Sequence, residues 1–250
     1  MDSLFGCMPV KFDLHTHTRY SDGKLSHVEI VEAAEAMGLQ AVAFADHGPE
    51  LKMGVPREKL PSMLRDMEIA REDADIPVLS SIEANILDSS GTIDIEGEFV
   101  KKLDFLAVAI HNLERVVRVP VGVGRLKKAD RIKVAQEYLE RATKAMERQK
   151  VDIFFHPFYF GIDLLLVIPF EDIKEFVRLA AAQNVAMELN VKYKVPNDDF
   201  LRLCLREGVK LSIGSDAHRL PEVGKVDWAI SALRRVGAKQ EDLVLNSVLR

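Results

Sequence analysis

Short apolar runs alternate with amphipathic stretches along this chain, and each run hands over to side chains that bind metals or protons. The runs are Val10–Leu14, Ala41–Ala45, Pro77–Ile82, Phe105–Ile110, Ile153–Phe155, Val185–Met187 and Lys210–Gly214. Bounded runs this short suit buried parallel strands better than helices. Ser26-His-Val-Glu29 reads as a capping box that opens a helix on Ile30, Val31, Ala33, Ala34 and Met37, with Gly38 as its stop. Further helical segments are predicted at Arg57–Asp73, Ala129–Gln149, Glu171–Gln183, Asn197–Glu207 with Gly208 behind it, Glu222–Val236 and Gln240–Leu249. Between Ile86 and Ile95, Asp88-Ser-Ser-Gly91 reads as the turn of a small hairpin-like excursion. Strands alternating with helices predict βα units and a parallel sheet. No repeat, low-complexity tract or linker divides the chain, so residues 1–250 are expected to form one domain.

The polar residues that follow the runs carry the chemistry. Six of the seven histidines stand at such ends: His15 and His17, His47, His111, His156 and His218. Glu83, Glu188, Asn190 and Asp216 occupy equivalent places, with Asp22 in Ser21-Asp22-Gly23. Taken singly, each has a plain structural reading: a satisfied core histidine, a turn, a helix cap. Taken together they converge, because strand ends on one face of a parallel barrel are where active sites assemble. Imidazole with carboxylate suits Zn, Mn or Fe, whereas a Ca or Mg cage made only of oxygen donors has no use for six histidines. Two to three such ions with these carboxylates would leave the site with excess positive charge, which attracts a phosphate dianion. Arg19, Asn190, Lys192 and Arg219 flank the motifs and are candidate substrate contacts. Asp46 could orient His47 or cap the turn that follows, and Glu188 and Asn190 could orient ligands, bind substrate or satisfy each other. His27 falls outside the pattern and is expected on the helix surface.

Composition narrows the classes. The formal net charge is −5, which disfavours a dedicated nucleic-acid surface, since that rests on basic stripes. The exception is Asn112–Lys128, where Arg115, Arg118, Arg125, Lys127 and Lys128 would make either a solvated loop or a basic lid. Two cysteines cannot form a disulfide framework, and a reduced cytoplasmic setting is expected. Met1–Met8 lacks the basic and apolar regions of a secretory signal. The apolar stretch Gly161–Phe170 is too short to span a membrane and contains Asp163, so no membrane partner is expected.

The ordered set His15-x-His17, Ser21-Asp22-Gly23, Asp46-His47-Gly48, Glu83, His111, His156-Pro157 and Asp216-Ala217-His218 resembles the PHP (polymerase and histidinol phosphatase) superfamily over nearly the whole chain, from His15 to His218. Ala45 departs from the Thr common before Asp-His, and Ser81 from a Gly common two residues before the Glu. The resemblance implies a distorted (β/α)7 TIM-like barrel and a metal-dependent phosphoric ester hydrolase. It implies ligation of one ion by His15, His17, Glu83 and Asp216, of a second by Glu83, His111 and His156, and of a third by Asp22, His47 and His218. Glu83, Asp216 and His218 would then be the residues on which turnover depends, with a metal-bridging hydroxide as nucleophile. A small phosphate monoester is the expected substrate, and histidinol phosphate is one candidate. A nuclease or phosphodiesterase, a metal-holding regulatory module without turnover, and an amidohydrolase rank behind it. The last is disfavoured because no lysine ends a strand where a bridging carboxylated lysine would be needed.

Overall fold

A computed structural model of the chain describes residues 11–113, 128–160 and 163–249. Met1–Met8, the basic positions 115, 118, 125 and 127, and Gly161 lie outside the described residues.

Among the described residues eight strands run in chain order: β1 (Asp13–Thr16), β2 (Val42–Phe44), β3 (Val78–Ser80), β4 (Glu83–Asn85), β5 (Ala107–Ala109), β6 (Ile153–Phe154), β7 (Ala186–Asn190) and β8 (Leu211–Gly214). All pair in parallel, in the orders β1-β2-β3 and β4-β5-β6-β7-β8. Backbone hydrogen bonds join the two sheets at both seams. Ser81 donates to Phe44 and Glu83 to Asp46, each at 2.9 Å, so β3 and β4 are one run kinked at Ser81-Ile82. On the far side Asp216 donates to His15 and His17 to Ala217, again at 2.9 Å. The seven runs therefore form a ring, as expected of a distorted seven-stranded barrel.

The helices outside the ring are α1 (His27–Ala36), α2 (Leu60–Glu72), α3 (Gly97–Val100), α4 (Lys128–Arg148), α5 (Phe170–Gln183), α6 (Asp198–Glu207), α7 (Asp227–Val236) and α8 (Leu245–Val248). Their limits follow local signals. The Ser26–Glu29 capping box forms at α1, Asn197 caps α6 through the Phe200 amide, and Gly208 and Gly237 end α6 and α7 in the left-handed conformation. Gly91 closes the predicted excursion at φ +76°, with Ile86 and Ile93 bridged antiparallel. No described helix is long and apolar enough to cross a membrane.

The strand limits differ from the apolar runs in an instructive way. β1 begins at Asp13 and contains His15, β4 begins on Glu83, and β7 contains Glu188 and Asn190. Residues two apart share a face of a strand. Asp13, His15 and His17, Glu83 and Asn85, and Glu188 and Asn190 are therefore polar stripes, all of them buried. The residues out of phase, Leu14, Ala84 and Leu189, belong to the hydrophobic core.

Candidate metal centre

Glu83 sits at the middle of the polar stripes with no exposed surface. One of its oxygens, Oε2, lies 2.6 Å from His47 Nδ1, 3.7 Å from His15 Nε2 and 3.8 Å from His17 Nε2. The other, Oε1, lies 2.8 Å from His156 Nε2 and 3.4 Å from His111 Nε2. Five imidazoles from four separate chain segments, His15 and His17 sharing one, thus surround one carboxylate. Asp216 extends the group, with Oδ1 3.5 Å from His17 Nε2 and 3.4 Å from His218 Nδ1. Asp22 Oδ1 completes it, 3.1 Å from His218 Nε2 and 3.6 Å from His47 Nε2. All nine sequence-predicted metal residues are brought together.

Charge and hydrogen bonding test whether ions fit. Burial alone would raise the Glu83 carboxyl, but the imidazoles of His111, His47 and His15 hold it well below the usual range. Asp216 is likewise held well below it against burial by His15, His17 and Lys192. Burial would lower His15, yet Glu188, Glu83 and Asp216 carry it well above its ordinary value, while burial and the neighbouring His47 push His17 well below. Even so, His17 Nδ1 and His156 Nδ1 are buried with no hydrogen bond, and the close contacts His47 Nδ1–Glu83 Oε2 and Asp22 Oδ1–His218 Nε2 lack the alignment of one. Such atoms are costly to bury unmatched. His15 Nε2 and His17 Nε2 face each other at 3.0 Å. Three sets of donors, His17-Asp22-His47-His218, His15-His17-Glu83 and His47-Glu83-His111, each converge within 4.8 Å. Nitrogen and oxygen donors converging without partners fit divalent transition ions.

A second layer of side chains braces this group. Glu188 Oε1 lies 2.7 Å from His15 Nδ1, and its Oε2 accepts from the His156 amide at 2.6 Å. Asn190 donates to both Glu188 and Asp216, at 3.2 and 3.3 Å. Of the readings open for this pair, orientation of the imidazoles and Asp216 is the one the contacts match. The brace needs Gly214, where a Cβ would fall 1.9 Å from Glu188 Oε1. Asn85 Oδ1 lies 2.5 Å from His111 Nδ1, and Asp94 Oδ2 accepts from Asn85 Nδ2 at 2.6 Å. Arg141, buried in α4, donates to the carbonyls of Leu87 (2.8 Å) and Asn112 (3.2 Å) and pairs with Glu137 at 2.6 Å. It thereby ties together the segments that carry Asn85 and His111. Sequence reasoning missed Asn85, Asp94 and Arg141. The two-residue spacing from Glu83 to Asn85 was a usable signal for the first; the others had none.

Other expectations are corrected. Asp46 neither orients His47 nor caps the turn after it. Its carboxylate accepts from the Thr18 amide (2.8 Å), the Thr18 hydroxyl (2.7 Å) and Ser21 Oγ (2.5 Å), fastening the loop that carries Asp22. His27 is not a surface residue. It is buried, edge-on to Phe44 at 4.5 Å, with Nε2 unpartnered, because the first turn of α1 faces inward over β2. Burial lowers its pKa. Arg19 is not brought into the group; it pairs with Glu29 at 2.7 Å on the exposed side. Lys192 is, with Nζ 3.0 Å from Asp216 Oδ1 and 3.3 Å from His218 Nδ1. Arg219 lines the adjoining cavity of about 440 Å³ with Asp22, Lys24, Lys192, His218 and Glu222.

The chain as a whole is similar to known proteins. The family profile of the PHP domain matches residues 13–192. A probable phosphatase of Acetivibrio thermocellus is 30% identical over 243 residues, covering 94% of this chain and 90% of that one. The DNA polymerase/3'-5' exonuclease PolX of Bacillus subtilis is 27% identical over 248 residues, covering 95% of this chain but 39% of that protein. Among solved structures, the histidinol phosphate phosphatase of Lactococcus lactis, complexed with zinc, L-histidinol and phosphate, superposes with a TM-score of 0.62 at 17% identity, over 91% of this chain and 94% of that one.

Proposed function

The chain belongs to the PHP domain family, a family of metal-dependent phosphoesterases, and we propose that it hydrolyses a small phosphate monoester at the Glu83 centre. The observation that carries this reading is the single buried carboxylate ringed by imidazoles, with unpartnered donor atoms beside it. His15, His17, Glu83 and Asp216 would hold one divalent ion, Glu83, His111 and His156 a second, and Asp22, His47 and His218 a third, drawn from Zn, Mn or Fe. When bound, such ions supply Lewis acidity and lower the pKa of coordinated water.

The protein's own residues do the rest. Glu188 and Asn85 fix the His15 and His111 rings so that the opposite nitrogens face the centre. Asn190 and Lys192 hold Asp216 in place. Lys24, Lys192 and Arg219 line the mouth and draw in a dianion, which a cationic mouth favours over a monoanion because attraction scales with charge. Asp22, Glu83 and Asp216 offset the positive charge of the loaded site, so that product phosphate can leave. The same reading takes residues 1–250 as one domain at work in the cytoplasm, with histidinol phosphate among its candidate substrates.

The likeness to PolX supports a second reading, hydrolysis of nucleotides or DNA ends. A screen of metal-reconstituted protein against monoesters, diesters and short oligonucleotides separates the two. Monoesters are expected to give the higher kcat/KM. Faster, salt-sensitive cleavage of oligonucleotides would move the assignment to a nuclease.

A further inference from the structure

The wall of the site is divided by chemistry. On the Asp22–His218 side it is charged, with Lys24, Lys192 and Arg219 beside the carboxylates of Asp22 and Glu222. On the His156 side stand two tyrosines. The rings of Tyr159 and Tyr193 are stacked, with centroids 4.1 Å apart and planes 21° from parallel. The Tyr193 ring is perpendicular to the His156 imidazole at 5.9 Å, and His156 Nε2 is itself 2.8 Å from Glu83. A ligand held at Glu83 therefore meets Tyr193 as soon as it extends to that side.

Neither ring belongs to the core. Tyr193 is 36% exposed and Tyr159 is half-buried. Both are nonetheless held firmly. Asn190 and Val195 exchange backbone hydrogen bonds of 2.8 and 3.2 Å across the base of the Tyr193 loop, and the Tyr193 amide donates to Asn190 Oδ1 at 3.1 Å. The Tyr159 amide donates to the His156 carbonyl at 3.1 Å. That turn runs through positive φ at His156 (31°) and Phe158 (61°), pinned by a 2.9 Å bond from the Phe158 amide to the Tyr138 hydroxyl. Strained backbone that displays an aromatic side chain beside a reactive centre points to use. Lys192 joins the two sides, with Nζ 5.5 Å from the Tyr193 centroid and 3.0 Å from Asp216.

We propose that Tyr159 and Tyr193 form a leaving-group subsite, and that the substrate is a phosphomonoester whose alcohol carries a flat, largely apolar ring. The inference rests on the phosphoesterase reading for what the centre holds. Rings prefer aromatic partners in offset or edge-on contact, beyond the area they bury. An aliphatic polyol has no such preference.

Calorimetric titration with phenylphosphonate and methylphosphonate tests this on metal-loaded protein, because neither P–C bond can be hydrolysed there. Phenylphosphonate is expected to bind about three- to tenfold more tightly, the range set by aromatic contact. Tyr193→Phe should keep that preference, and Tyr193→Leu should lose most of it. Equal affinities in the parent protein, failure of phenylphosphonate to bind, or a preference that survives Tyr193→Leu and Tyr159→Leu together would overturn the subsite. Turnover is scored separately. A phenyl preference without hydrolysis of any monoester would sink the phosphatase reading and leave the ring subsite standing.

Discussion

Around His15, His17 and Glu83 the side chains are sealed from solvent and braced from behind, whereas around Asp22 they are partly open and backed by a less satisfied layer. His15 and Glu83 have fully buried side chains, but that of Asp22 is 28% exposed and that of His218 16%. Behind the inner group, Glu188 and Asn85 orient its rings, and Asp94 and Arg141 hold that second layer in turn. Behind the outer group, Asp46 fastens the Thr18–Ser21 loop, but the layer beneath includes His27 with an unpartnered nitrogen. Burial strengthens electrostatic interaction, and prior orientation removes the cost of ordering a ligand set. On the proposed ligation, the inner positions would hold their ions more firmly than the outer one.

Removing the centre of the inner group should have the largest effect. Glu83→Gln is expected to lower kcat/KM by more than about 100-fold, beyond the roughly 10–100-fold typical of losing an outer partner of a ligand. Elemental analysis should show the inner ions lost with it. A variant as active as the parent would break the assignment of Glu83. Next comes the brace. Glu188→Gln leaves a group of the same shape but without the charge facing His15 Nδ1, and should cost roughly 10–100-fold in activity or metal affinity. Unchanged metal binding and rate would mean the second layer is only packing.

Asp22→Asn should cost about tenfold, the low end of that range, and remove a single ion. If it proves as damaging as Glu83→Gln, the distinction between inner and outer positions fails. The smallest effect concerns the layer beneath. The folded-state pKa of His27 lies below its ordinary value of 6.5, with burial as the main cause, opposed by Asp46 and Asp66 and assisted by Arg19. The unfolded chain therefore takes up a proton that the folded one refuses. Stability from this group is full above about pH 6.5 and falls as pH drops below it. His27→Phe, which fills the site beside Phe44, should flatten that slope between about pH 7 and 5. Urea midpoints of metal-free protein would show it, and an unchanged difference between parent and variant across that range would refute it.

Much of this molecule was readable from the chain. The seven runs, the capping box at Ser26, the turn at Gly91 and the stops at Gly208 all depend on neighbours within a few residues. The nine metal-type residues were readable because their kinds and order are so restricted. The rest was not, for one physical reason: it depends on which distant segments meet. His15 and Glu188 are 173 residues apart in sequence, and nothing near either names the other. Arg141 sits in a helix whose pattern invites a surface reading, yet folding places its guanidinium over the carbonyls of Leu87 and Asn112. Arg19 flanks a motif but finds Glu29 first, and His27 turns inward because α1 packs over β2. Local composition thus determined the elements and the kinds of donor present. Only the closure of the barrel decided which donors share a centre, which are braced, and which side of the wall is aromatic, because those contacts form between side chains that no short stretch of sequence holds together.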